Sequence, residues 1–146
     1  MILQLLIGTF LIAVTVVIHA VGTITMIPVI RRLVIYAIGQ RGEASRVGYT
    51  IVVVLWLFLL HTAEVWIWAA AYLHLTELPD LESALYFSTA CFTTLGFGDL
   101  VLDPQWRLLS ALEAANGILL FGWSTAFLFA VVRRIWEAEL SASAES

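Results

Sequence analysis

Two groups of residues in this chain have types and spacings that could do chemistry. The first is the string Thr93-Thr94-Leu95-Gly96-Phe97-Gly98-Asp99, set between long apolar segments. Gly96 and Gly98 free the backbone for angles that other residues avoid. Thr94 offers a hydroxyl oxygen and Asp99 a negative charge. Taken alone, the three residues Gly96-Phe97-Gly98 read equally well as a Gly-rich turn.

The second group is polar residues inside apolar segments: His19, His61, Glu64, Glu113 and Asn116. Ionisable groups at bilayer depth are costly and point to function by default. His61 and Glu64, three apart, share a helical face. A mutual or interhelical hydrogen bond, drawing in His19, is their expected job, with proton sensing as the alternative. Metal binding is the weaker reading, because one H-x-x-E lacks the second pair that helix-bundle metal sites use.

The elements around these groups belong in a membrane. The chain has 146 residues, 62% hydrophobic and 12% charged, with a mean hydropathy of +0.98. That composition excludes an ordinary soluble domain. The net charge of −4 is dispersed and suggests no nucleic-acid partner. One cysteine, Cys91, excludes an internal disulfide and reads as a small buried apolar residue.

Three runs, at about 3–30, 48–75 and 106–132, reach the roughly 20 residues that a spanning helix needs. The first lacks a basic leader and is too long for a signal peptide, so it is expected to be a retained span. A fourth apolar run, 81–92, is too short to cross. It fits a helix that dips in and returns, started by Asp80 as N-cap with Glu82 in its first turn. Its irregular exit at 93–99 must then be buried or line a watery pore. With three spans, Arg31, Arg32, Arg41, Arg46, Arg133 and Arg134 share one side, and Arg107 stands on the other. The positive-inside rule makes the Arg-rich side cytoplasmic. The N-terminus, Glu77 and the 93–99 string then face outward. Trp66, Trp68, Tyr72 and Trp106 sit toward the outer interface, Tyr36, Tyr49 and Trp136 toward the inner one, and Trp56 and Trp123 are packing residues.

The string at 93–99 resembles the selectivity filter of the potassium-channel pore family, T-x-G-Y-G-D or T-x-G-F-G-D. The likeness extends from 48 to 134 and is strongest at 84–99 and 106–126. It implies an all-α membrane protein: three transmembrane helices, a re-entrant pore helix, an extended filter and a tetrameric pore. The implied units are an N-terminal helix (1–38), a cytoplasmic loop (39–47), a pore domain (48–134) and a short cytoplasmic tail (135–146), of which 141–146 reads as disordered. Within the pore domain lie an outer helix (48–75), a pore helix (81–92), the filter (93–99) and an inner helix (106–134).

By this resemblance the carbonyls of Thr93, Thr94, Leu95, Gly96, Phe97 and Gly98 replace a cation's water shell, and Asp99 concentrates cations at the outer mouth. Leu95 and Phe97 wedge the filter against its surroundings. Gly117 falls at the family's hinge position, and Ile118, Phe121 and Thr125 line the cavity beneath, with helix packing as the alternative. Glu113 and Asn116 are expected to hydrogen-bond the pore helix or the back of the filter.

Three departures stand out. Phe97 replaces the commoner Tyr, so no hydroxyl at that position ties the filter to the pore helix. Tyr86 and Phe87 stand where many relatives have Trp. Ala90 stands where some have a Glu that braces the filter aspartate. The filter is therefore expected to be less firmly held.

The function implied is a potassium-selective channel, not an enzyme. It forms a homotetramer in the plasma membrane, N-terminus outside and C-terminus in the cytoplasm. It needs no cofactor, potassium is the permeant ligand, and no soluble ligand-binding domain is expected in the chain. The rivals are a weakly selective cation channel, a non-conducting subunit that binds a partner through its extra helix, and a metal- or proton-handling bundle around His61 and Glu64.

Overall fold

In hydrocarbon the backbone of a spanning segment must bond to itself, so each long apolar run becomes a helix. The computed structural model describes residues 1–39, 43–76 and 78–144. It contains α1 (Ile2–Gly39), α2 (Glu43–Leu75), α3 (Leu81–Phe92) and α4 (Arg107–Ala144). The stretches Ile2–Arg32, Val47–Leu75 and Arg107–Glu137 are long and apolar enough to cross a bilayer. The chain is thus an all-α protein with three membrane-capable helices and a shorter fourth. Asp80 caps α3, accepting a hydrogen bond from the Ser83 N–H at 2.8 Å, and Glu82 sits in the first turn. That bond holds the exposed Asp80 carboxyl below the usual carboxylate range.

Helix extends further than expected at two ends. The loop placed at 39–47 is helical again from Glu43, while residues 40–42, Arg41 included, lie outside the described residues. Glu77 lies outside them as well. The tail expected to be disordered from 141 continues α4 to Ala144, and 145–146 lie outside the described residues. Ala, Glu and Leu favour helix there, and no Gly or Pro stops it.

α1 is buried along one stripe: Gln4, Leu11, Thr15, His19, Thr23, Met26 and Ile30. The spacing of three, four or seven keeps these residues on one face. This buried face is the more polar one, while Phe10, Val17, Val21 and Ile24 point outward. Such an arrangement suits a helix whose solvent is lipid. α1 packs on α4 and α2. Two glycines permit the approach: a Cβ at Gly8 would overlap Leu112, and one at Gly22 would overlap Leu60. Gln4 Oε1 also accepts from the Leu108 N–H at 3.2 Å, satisfying an open donor at the start of α4. α3 packs against the same two helices, α2 and α4.

Two apolar clusters fill the interior. Leu11, Trp68, Tyr72, Phe87, Phe92, Leu109 and Leu120 form the first, and Met26, Val53, Leu57, Leu60 and Val131 belong to the second. Along α1, α2 and α4 the residues between the two clusters are polar: His19, His61, Glu64 and Ser124, all buried.

Candidate functional site

The segment after α3 turns back on the helix it leaves. The Thr94 N–H bonds to the Cys91 carbonyl at 2.9 Å and the Gly96 N–H to the Ala90 carbonyl at 3.1 Å. Thr94, Gly96 and Gly98 have φ of 62°, 51° and 79°. Among the described residues, Thr94 is the one non-glycine residue with positive φ. Left-handed backbone therefore recurs at every second position of 94–98. In an extended strand successive carbonyls alternate in direction. Inverting the handedness of every second residue is a way to turn them to one side, and glycine makes it accessible.

Tyr86 holds the outer end of this segment. Its ring stacks on Phe97 with centroids 6.3 Å apart and planes 12° apart. Its hydroxyl donates to Asp99 Oδ2 at 2.7 Å. That bond holds the exposed Asp99 carboxyl below its ordinary range and raises the Tyr86 phenol. The expectation of an untied segment is corrected here: the hydroxyl missing at Phe97 is supplied from α3. Next to it, a cavity of about 190 Å³ lies among Tyr86, Ala90, Cys91, Gly98, Arg107 and Ser110, where the small Ala90 leaves room.

Below Tyr86, Glu113 joins three helices. The Tyr72 hydroxyl donates to its Oε2 at 2.6 Å, and Ser88 Oγ lies 2.6 Å from its Oε1. Ser88 Oγ also lies 2.9 Å from the Val65 carbonyl. Glu113 thus reaches the short helix, as expected from its position. Asn116 does not. Its Nδ2 donates to Thr15 Oγ1 on α1 at 2.8 Å. Three residues turn a helix by about 300°. The resulting offset of about 60° separates the α3-facing side of α4 from the α1-facing side.

α4 runs unbroken through Gly117. A Cβ there would overlap the Phe92 carbonyl oxygen, so this glycine lets α4 lie against the backbone at the end of α3. Ile118, Phe121 and Thr125 lie on the exposed side of α4. The Phe121 ring also contacts His61 and Phe92, at 4.5 and 5.5 Å between centroids.

The polar layer closes into a ring. Glu64 Oε1 pairs with His19 Nδ1 at 2.8 Å, and Oε2 with His61 Nδ1 at 2.9 Å. Both Nε2 atoms face Ser124 Oγ, at 2.9 Å from His61 and 3.2 Å from His19. The expected interhelical bond between His61, Glu64 and His19 is present. Ser124, Thr15, Tyr72 and Tyr86 were not singled out from sequence as partners. On α1 the signal was there: Gln4, Thr15, His19 and Thr23 repeat on one helical face.

A model of the ion channel family matches residues 60–134, which takes in the end of α2, all of α3, the 93–99 segment and most of α4.

The chain belongs to the ion channel family.

This channel is therefore a multi-pass membrane protein in contact with lipid, and family membership points to transport rather than enzymatic turnover. Neither the curated proteins nor the solved structures gave a match.

Proposed function

We propose that four copies of this channel assemble around an axis and conduct potassium selectively. The observation that carries this reading is the left-handed backbone at Thr94, Gly96 and Gly98 directly after a short, capped helix. Carbonyls of residues 93–98 turned toward one axis replace a potassium ion's hydration shell. The C-terminal end of α3 carries a partial negative charge that favours a cation below the filter. Asp99 holds its charge at the outer mouth.

Assembly follows from geometry, since one strand cannot encircle an ion. Leu95 and Phe97 are 61% and 65% exposed in the single chain, and Ile118 and Phe129 are 60% and 68% exposed. Apolar side chains flanking a filter need cover, and neighbouring subunits supply it. Ile118, Phe121 and Thr125 then line the cavity under the filter. Apart from permeant potassium, conduction in this scheme requires no cofactor. The arginine distribution supports an N-terminus outside and a C-terminus in the cytoplasm, and a potassium channel of this kind would sit in the plasma membrane.

Purified protein in liposomes tests the reading. Potassium flux well above sodium flux is expected. Equal fluxes would make it a weakly selective cation channel, and no flux at all a non-conducting subunit.

A further inference from the structure

We propose that His19, His61 and Glu64 form a binding site for one divalent transition-metal ion of the zinc class, joining α1 to α2. The site is separate from the filter, and the proposal does not depend on whether the channel conducts potassium.

The donor set is two imidazole nitrogens and one carboxylate oxygen. Such a set suits zinc and its first-row neighbours and is poor for calcium or magnesium, which prefer oxygen alone. Sequence spacing argued against a metal because a lone H-x-x-E offers too few ligands. The fold supplies the missing one, bringing His19 of α1 to Glu64 across 45 positions of chain.

One ligand atom from each residue lies within 4.8 Å of the others. The Nδ1 atoms lie 2.8 and 2.9 Å from the two Glu64 oxygens. A tetrahedral ion with bonds of about 2.0–2.1 Å holds its ligands roughly 3.3 Å apart. Each Nδ1 need move only a few tenths of an ångström relative to its Glu64 oxygen, and the three ligand atoms, within 4.8 Å of one another, draw in further to meet on one ion.

The outer contacts fit as well. Metal-bound histidines donate their other ring N–H to a fixed acceptor. Here both Nε2 atoms face one acceptor, Ser124 Oγ, at 2.9 and 3.2 Å. A hydroxyl oxygen has two lone pairs and can accept both. A metal on the two Nδ1 atoms satisfies every ring nitrogen with neutral imidazoles.

Burial and access complete the case. His19 and Glu64 are 0% exposed and His61 is 9% exposed. His61 and Ser124 border a cavity of about 200 Å³ with Phe121 and Thr125. That opening reaches the site from its His61 and Ser124 side, and a water would complete the coordination of the ion. Zinc-bound water ionises near pH 7, and a hydroxide there would cancel the charge that Glu64 leaves uncompensated.

The test uses the full chain in detergent, stripped with chelator and then equilibrated with zinc. Roughly one ion per chain is expected, the content of a mononuclear site. Zinc should raise the thermal midpoint of the wild type by several degrees. Cobalt substituted for zinc should give the intense visible bands of a four-coordinate nitrogen–oxygen site. His19→Gln and Glu64→Gln should bind zinc at least tenfold more weakly. Ser124→Ala should weaken binding about 10–100-fold, the usual cost of losing an outer-shell partner. Far less than one zinc per chain, or unchanged affinity in His19→Gln, would overturn the proposal. Should the variants fail to fold, wild-type cobalt spectra decide: bands of six-coordinate solvated cobalt alone would overturn it.

Discussion

Tyr86 and Asp99 are joined by a 2.7 Å hydrogen bond between α3's second turn and the outer end of the 93–99 segment. Together with the stack of Tyr86 on Phe97, it makes one side chain the holder of both outer residues of that segment. The family's usual tie, a hydroxyl on the filter aromatic, is here transferred to the helix.

Tyr86→Phe isolates that tie, because it keeps the stack and removes the hydroxyl. Potassium-over-sodium selectivity should fall several-fold, or current should decay faster during sustained flux. Unchanged selectivity and unchanged decay would show that the bond does not hold the filter. The pH dependence has a definite sign. Asp99 is held below its ordinary range, chiefly by the Tyr86 bond. Its contribution is therefore complete above the ordinary carboxylate value of about 3.9. It is lost as pH falls through the depressed folded value. Wild-type selectivity should be flat from about pH 5 to 8 as far as Asp99 governs it. In Tyr86→Phe the acid loss should begin at higher pH.

Gly96 and Gly117 should respond to alanine for different reasons. Around Gly96, at φ +51°, no atom lies within 4 Å of where a Cβ would stand. The cost of Gly96→Ala is therefore conformational, about 1–2 kcal/mol for a left-handed residue. Selective flux should vanish while the assembled oligomer survives, as measured by flux and by size in detergent. At Gly117 the Cβ would meet the backbone of Phe92, which cannot move aside as a side chain can. Gly117→Ala should lower thermal stability, by about 1–3 kcal/mol for overpacking. Wild-type stability in Gly117→Ala would show that α4 can withdraw from α3 freely.

Glu113 is best probed with two substitutions. Ser88 has one hydroxyl hydrogen and two acceptors within 2.9 Å, the Val65 carbonyl and Glu113 Oε1. A protonated carboxyl that donates to Ser88 satisfies all of them. Gln can do the same with its amide, accepting from Tyr72 and donating to Ser88. Glu113→Gln should therefore be mild in stability and flux. Glu113→Leu leaves the buried Tyr72 hydroxyl without its partner, at about 1–3 kcal/mol. Thermal unfolding of both variants checks this, and equal stability of Glu113→Leu and wild type would count against the brace.

Topology can be read by thiol labelling in a Cys91→Ala background. A cysteine at position 2 should react with an impermeant reagent from outside intact cells, and one at position 48 should not. Labelling at 48 from outside would reverse the orientation drawn from the arginines.

Much of this architecture was legible in one dimension because membrane spans are a local property. Apolar length alone marked the three long helices, and Asp80 marked the start of the short one. The 93–99 string was legible for a similar reason: its left-handed backbone is a local property, so glycine spacing announces it. Side-chain roles were less legible. Asn116 was expected beside the short helix and instead bonds Thr15. Gly117 was expected at the hinge position, and its close approach to the Phe92 backbone was not legible from sequence.

The amino-acid sequence by itself determined how many segments are long and apolar enough to cross a bilayer, where the 93–99 string falls and which family the chain joins. Backbone polar groups without water must pair within their own segment, so each span carries its own instruction. Only the tertiary structure decided who meets whom. His19 reaches Glu64, Tyr72 reaches Glu113, and Gln4 caps α4. These pairings depend on each helix's rotation and depth relative to its neighbours. Small residues such as Gly8 and Gly22 set how closely the helices approach. Mean hydropathy does not encode depth or partner; the polar stripe of α1 marks which face turns inward, but its residues find their partners only after the helices have packed.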